Sequence, residues 1–328
     1  MKLSKGKLSI FIISVVVFSA FSILGIVYYL GNLHTAFFST ATMEFEIPGL
    51  EEDFVPQGME YVEANNSYLI SGYMGDGSPS RIYMVEESGV KYVTLEYQGE
   101  NYIDHAGGVT SDGEGLWVVG DGMVNYLSFS DVMNAENGEK VEITSRFESY
   151  NGADFVTIYQ NYLIVGEFHR EGNYSRDESH EITTPSGKIN KAITFAYEIN
   201  NGLENGIAST QPSFAISTTS LVQGMAFTND KIILSTSYSL PNSNIYTYEN
   251  IITSASDIDE YQFEGIAQPV STYVLNEPIS TVSAPSMSEE ITINGDKLYI
   301  LFENACNKYK LFTNANLTNV YSYPLENL

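Results

Sequence analysis

The chain has 328 residues, 43% of them hydrophobic, with 41 acidic against 15 basic residues and a formal net charge of −26. Tyr is abundant at 24, Trp occurs once and only 17% of residues are charged, a profile that suits one large all-β domain with little surface helix. Such acidity repels nucleic acid and anionic headgroups, excluding both as partners; beyond keeping the protein soluble, it attracts cations and basic partners.

From Leu8 to Leu30 the chain reads LSIFIISVVVFSAFSILGIVYYL, without a charge. About 20 such residues are enough to cross a bilayer core. Lys2, Lys5 and Lys7 precede the run, so residues 1–7 are expected to stay in the cytoplasm, and Tyr28 and Tyr29 stand where an interfacial aromatic belt would place them. Ser39, Thr40 and Ala41 offer a small-residue cleavage site, which leaves a cleaved signal peptide as the alternative. A secretory apolar region usually spans about 7 to 15 residues, and this run is longer. The expectation is a single-pass signal anchor in the cell membrane, a tether over 31–42 and an extracellular domain over 43–328. All the acids fit that topology, the first being Glu44.

Cys306 is the only cysteine, so no intrachain disulfide forms, which points to a bacterial surface protein rather than an animal or plant ectodomain. The thiol itself reads as a small buried core residue.

After the tether one unit is written five times: PQGMEYVEANNSYLISGYM from Pro56, HAGGVTSDGEGLWVVGD from His105, GADFVTIYQNYLIVGEFH from Gly152, VQGMAFTNDKIILSTSY from Val222 and SEEITINGDKLYILFEN from Ser288. Each holds a first strand, a polar hairpin such as Asp112-Gly113 or Gly295-Asp296, and an apolar second strand such as LWVV or YLIV. Second strands without polar alternation are covered on both faces. The third strands read RIYMV, NYLSF, ITFAYEI, NIYTY and YKLFT. Such units cannot bury their apolar faces alone and must close into a ring, so the fold is a single β-propeller preceded by one transmembrane helix. Five blades are visible; a sixth, degenerate one could lie within Ile251 to Ser286, and His169 to Asn190 is a long polar insertion. Either MEFEIPGL at 43–50 or LTNVYSYPL near the C-terminus closes the ring.

In a propeller the starts of first strands and the ends of second strands meet on one face around the channel. Aligning the copies puts Gln57, His105, Asp154, Gln223 and Glu289 at the former, and Asp121, Glu167 and Glu303, with Tyr73 and Tyr238, at the latter. That face is polar and acidic, with no basic group except His105. Buried carboxylates must be paired, protonated or metal-bound. Calcium accepts six to eight oxygen ligands, so the acids either hold a cation or are solvated at the channel mouth. His105 is either a general base or a hydrogen-bonding structural residue. Glu167, His169 and His180 lack tight zinc-ligand spacing. No G-x-S-x-G elbow, phosphate loop, H-E-x-x-H or EF-hand loop occurs.

The P-Q-G and V-Q-G strand entries, HAGG at 105–108 and LFENACNKY at 301–309 resemble secreted or membrane-anchored bacterial propeller proteins. More distantly, residues 50 to 315 are similar to the calcium-dependent propellers of the senescence-marker-protein, gluconolactonase and paraoxonase type, and to strictosidine-synthase-like proteins. In the lactonase group an axial calcium is held by acidic and Asn side chains, which the resemblance carries to Asp154, Glu289 and Glu303. Two channel positions carry Gln instead, a departure from that pattern. The leading expectation is a surface-displayed propeller that binds a ligand or protein partner at its acidic face, with or without a structural cation. The alternatives are a calcium-dependent hydrolase or lactonase, with His105 or a carboxylate activating water, and a purely structural envelope protein.

Overall fold

The computed structural model describes residues 34–253 and 258–328, so the apolar run 8–30 and the residues before it lie outside the described residues. Among the described residues no helix is long and apolar enough to cross a membrane. The chain forms two units, residues 1–39 and 40–328. The described part of the first holds one helical turn, Thr35–Phe38.

The second unit is a five-bladed β-propeller. From the axis outward, blade I runs Phe54–Val62, Ser67–Met74, Arg81–Glu86 and Gly89–Tyr97, with Glu139–Glu142 added in parallel at its edge. Blade II runs Gly108–Ser111, Gly115–Gly120, Met123–Ser128 and Ser145–Glu148. Blade III runs Phe155–Tyr159, Tyr162–Gly166, Ala192–Glu198 and Phe214–Thr218, extended by Val270–Val274 and Ile258–Tyr261. Blade IV runs Val222–Phe227, Lys231–Thr236, Ser243–Glu249 and Ser280–Ala284. Blade V runs Ser288–Asn294, Lys297–Phe302 and Asn319–Pro324, and its outermost strand is the N-terminal Thr42–Glu46. The five inner strands contact one another in ring order.

The five blades visible in the sequence are the five of the ring: among the described residues the stretch 251–286 supplies outer strands to blades III and IV and no sixth blade. One expectation is corrected by this topology. The segment YKLFT is not a third strand: residues 309–313 form turns, and Asn319–Pro324 takes the position instead. Both candidate closing segments are used, as adjacent antiparallel strands pairing Thr42 with Ser322 and Met43 with Tyr321. The ring is thus closed by chain segments nearly the full length of the domain apart.

The apolar second strands are buried on both faces, as their composition requires. Alternate residues serve opposite interfaces: Leu116 and Val118 pack with Leu69, Ile82 and Val93 of blade I, whereas Trp117 and Val119 pack with Val156, Leu163 and Phe195 of blade III. Trp117 is fully buried and its Nε1 donates to the Asn205 carbonyl at 2.9 Å. Cys306 is also buried and unbridged, and burial pushes its thiol up to about 11.

Candidate functional site in the axial cavity

The inner strands converge so tightly that side chains are nearly excluded from one layer of the axis. A Cβ on Gly58 would lie 2.6 Å from the Val109 nitrogen, and one on Gly224 would lie 2.6 Å from the Glu290 Cα. Glycine is therefore required where the strands meet.

Above this layer, strand register decides what faces the channel. In blades I, IV and V the ladder shifts at the start of the inner strand, between Pro56 and Gly58, Val222 and Gly224, and Ser288 and Ile291. A bulge re-aims side chains that simple alternation would send elsewhere, and the residues in these shifts are Gln57, Gln223, Glu289 and Glu290. Glu290 turns into the axis. Its Oε2 accepts from Met59 N at 2.8 Å and Val109 N at 3.2 Å, and its Oε1 accepts from Val156 N at 3.0 Å. One carboxyl thus ties blade V to blades I, II and III. Burial raises its pKa well above the usual carboxylate range, while the three N–H donors pull the other way.

Over Glu290 opens a cavity of about 560 Å³ lined by Gln57, His105, Asp154, Gln223, Glu289 and Glu303, with Ser237, Lys308 and an aromatic wall that includes Phe168, Tyr238 and Tyr309. Six of the eight acidic, amide and imidazole residues expected at the channel face line it, as does Tyr238 of the two tyrosines expected with them. Asp121 and Glu167 lie elsewhere. Asp121 is exposed in a left-handed turn after the second strand of blade II and accepts from His105 N at 3.1 Å. Glu167 is fully buried in blade III, where it accepts from Ile193 N at 2.9 Å and holds His180 Nδ1 at 2.7 Å. The reason is the insertion 169–190, which folds back as a cover and supplies both His180 and Arg176. His169 is not part of that cluster; its Nδ1 meets Ser220 Oγ at 2.8 Å.

His105 reaches the cavity from outside the inner strand. Gly107 N bonds Val119 O as Asp154 N bonds Gly166 O, so Gly107 is the register equivalent of Asp154. The imidazole rests against Tyr73 with ring centroids 4.9 Å apart, and burial lowers its pKa. It is a neutral group near pH 7.

Charge in the cavity is balanced. Asp154 accepts from Phe168 N at 2.7 Å and is ion-paired with Arg176; burial nevertheless pushes its pKa up to about 6. Glu289 and Glu303 both line the cavity wall and perturb each other's proton affinity. Burial raises Glu289 well above its ordinary value, with the neighbouring Glu303 charge adding to the effect, and burial lifts Glu303 to about 7. Each carboxyl is also held by an amide: Gln57 Nε2 donates to Glu303 at 2.9 Å and Gln223 Nε2 to Glu289 at 3.3 Å. Lys308, whose Nζ donates to Tyr73 OH at 2.6 Å, lowers the pKa of Glu303. Among the described residues no three His, Cys, Asp or Glu side chains cluster as a metal ion would need.

Sequence reasoning missed several lining residues. Tyr309 begins the segment read as a third strand and Lys308 directly precedes it, and only the turns over 304–312 bring the two to the cavity. Ser237 is 3% exposed, and its Oγ has no hydrogen-bond partner. Glu290 had a visible signal, a second acid inside the otherwise apolar run of blade V.

No protein-family model matches the chain, and no curated protein matches it. Among solved structures it is similar to the tail fibre of Staphylococcus aureus phage P68, at 10% identity and a TM-score of 0.43 over 87% of this chain and 52% of that one. It is also similar to the hydrazine synthase of Kuenenia stuttgartiensis, at 11% identity and a TM-score of 0.38 over 82% and 83% of the two chains. The WD40 domain of Toxoplasma gondii coronin matches at 7% identity and a TM-score of 0.36, over 86% and 75%. The chain spans about half the length of the phage tail fibre. The propeller assignment rests on the strand pairing and ring closure described above.

Proposed function

We propose that the protein is a cell-surface propeller that binds a small, uncharged, hydroxyl-bearing ligand, such as a saccharide or polyol, in its axial cavity. The lining of the cavity carries this reading, with the Gln57 and Gln223 amides and the His105 imidazole set among the aromatic faces of Phe168, Tyr238 and Tyr309.

The charge balance favours a neutral ligand over the cation that composition alone suggested. Asp154 is met by Arg176, Glu303 stands near Lys308, and burial favours the protonated form of Glu289. The remaining groups, Gln57, Gln223 and neutral His105, offer both donors and acceptors. Tyr238, Tyr309 and Phe168 supply apolar faces of the kind that enclose ligands in concave sites. Surface display rests on the uncharged run 8–30 and the lysines before it.

Ligand-observed NMR and thermal shift on the full chain in detergent, against neutral saccharides and polyols and against uronic acids and quaternary ammonium compounds, test the reading. Neutral ligands should bind, and Gln223→Ala should weaken them by about 0.5–1.5 kcal/mol, the usual worth of one hydrogen bond. Equal binding of charged and neutral compounds, or a silent Gln223→Ala, would sink it.

A further inference from the structure

We propose that the axial cavity receives the end of a linear, neutral oligosaccharide, whose next sugar rings lie on a rim formed by Tyr174, Leu240 and Phe312. The inference rests on the neutral-ligand reading of that cavity and lengthens the ligand from a single unit to a chain.

The lining of the cavity continues outward onto Tyr174, Ser239, Leu240 and Phe312, of which Tyr174 is 48% exposed, Leu240 53% and Phe312 65%. Three separate segments bring them together: the insertion 169–190 of blade III, the loop after the second strand of blade IV and the turns over 304–312 of blade V. None of the four carries a charge, on a chain with 41 acids. Lys308 lies at the same wall, and its ammonium is taken up by Tyr73 OH. Exposed apolar side chains gathered at one cavity mouth mark a place where a ligand or partner lies.

Aromatic packing runs unbroken from the interior to that rim. Buried Phe168 meets Tyr174 edge-on with ring centroids 5.4 Å apart, and Tyr238 stands 6.2 Å from Phe168 and 6.5 Å from Tyr174. The Arg170 guanidinium lies 4.0 Å from the centroid of the Tyr238 ring. Arg170 N donates to Tyr174 O at 3.0 Å and Tyr174 N to Arg170 O at 3.1 Å, which fixes the turn that carries Tyr174. A ring already held in place loses little freedom when a ligand covers it.

The division between polar wall and apolar rim selects the ligand. Gln57, Gln223 and His105, buried or half-buried, offer hydrogen bonds inside, whereas the rim offers apolar surface. A pyranose ring joins a hydroxyl edge to an apolar C–H face, so the terminal ring can use the amides and imidazole while the rings behind it cover the rim. An apolar chain would bury the polar wall without hydrogen bonds. A cavity of about 560 Å³ suits a drug-sized molecule, more than one sugar ring fills.

Calorimetric titration of the full chain, in a detergent without a sugar headgroup, tests this with neutral glucose, mannose and N-acetylglucosamine oligomers from monosaccharide to tetrasaccharide. At least one series should bind about five- to tenfold more tightly as trisaccharide than as monosaccharide, the scale of covering one side-chain face. Tyr174→Ala and Phe312→Ala should each remove most of that gain and weaken the monosaccharide far less, whereas Gln223→Ala should weaken both alike. The wild-type length series stands even if a variant fails to fold. Affinity independent of chain length, or rim variants that weaken monosaccharide and trisaccharide equally, would overturn the rim. If a monosaccharide binds and added rings bring nothing, the rim falls and the cavity reading stands; if no neutral saccharide of any length binds, both fall.

Discussion

Removing the axial carboxyl should loosen the ring more than any comparable change at its rim. In Glu290→Ala, Met59 N, Val109 N and Val156 N lose their acceptor in a buried layer. A buried donor left unsatisfied costs about 1–3 kcal/mol, which would give about 3–9 kcal/mol for three. Two effects pull the total down. The native carboxyl is itself held in a disfavoured environment, since burial raises its pKa strongly, and water can enter the space left and satisfy part of the set. A net loss of about 3–6 kcal/mol follows, or a fall in melting temperature of roughly 6–15 °C for a domain of this size. Glu290→Gln keeps the volume and one oxygen, so it should lose about 1–3 kcal/mol by turning an amide N–H against at least one donor. Urea unfolding followed by circular dichroism and by the fluorescence of Trp117, the only tryptophan, measures both. A Glu290→Ala protein that unfolds at the wild-type midpoint would refute the argument that this side chain ties the blades together.

Trp117→Ala should cost about 3–5 kcal/mol, because the ring is fully buried between blades II and III and Nε1 bonds the Asn205 carbonyl; a thermally silent variant would contradict that packing. Stability should fall as pH rises through 7. Burial raises Glu60 to about 7 despite hydrogen bonds from Thr110 and Thr292, so the folded state holds a proton there that the unfolded chain releases at lower pH. The contribution is fully present below about 4.5 and lost by about pH 8, on the order of 3 kcal/mol, and Glu60→Gln should flatten the difference between urea midpoints at pH 5 and pH 8. An unchanged slope would mean that Glu60 titrates normally. Millimolar calcium should leave the melting temperature unchanged, since a ligand that binds only the folded state would add about 2.7 kcal/mol at 100 times its dissociation constant. A rise that chelator reverses, and that Glu289→Gln or Asp154→Asn weakens, would restore the cation reading.

The blades were legible in the sequence because their physics is local. A two-residue turn such as Gln160-Asn161 joins Tyr159 to Tyr162 in the structure as its chemistry suggests, with Gln160 in the left-handed region that such a turn needs. Runs like LWVV declare strands buried on both faces by lacking polar alternation, and Trp117 lies where that pattern puts it. Residues that enter the channel at a strand start or end, such as Gln57, Gln223, Glu289 and Glu303, could be found the same way, since repetition fixes their place in the unit. Tertiary structure alone decided the rest. Pairing of Thr42–Glu46 with Asn319–Pro324 joins segments some 280 residues apart, and no local pattern encodes that both candidate closing segments are used side by side. The same holds for the insertion that seals Glu167 against His180, and for the turns that carry Lys308 to the cavity. Glu290 shows the limit most clearly. Its neighbour Glu289 lines the cavity while Glu290 itself is buried among three backbone N–H groups, and the difference arises from a one-residue ladder shift whose partners are supplied by other blades.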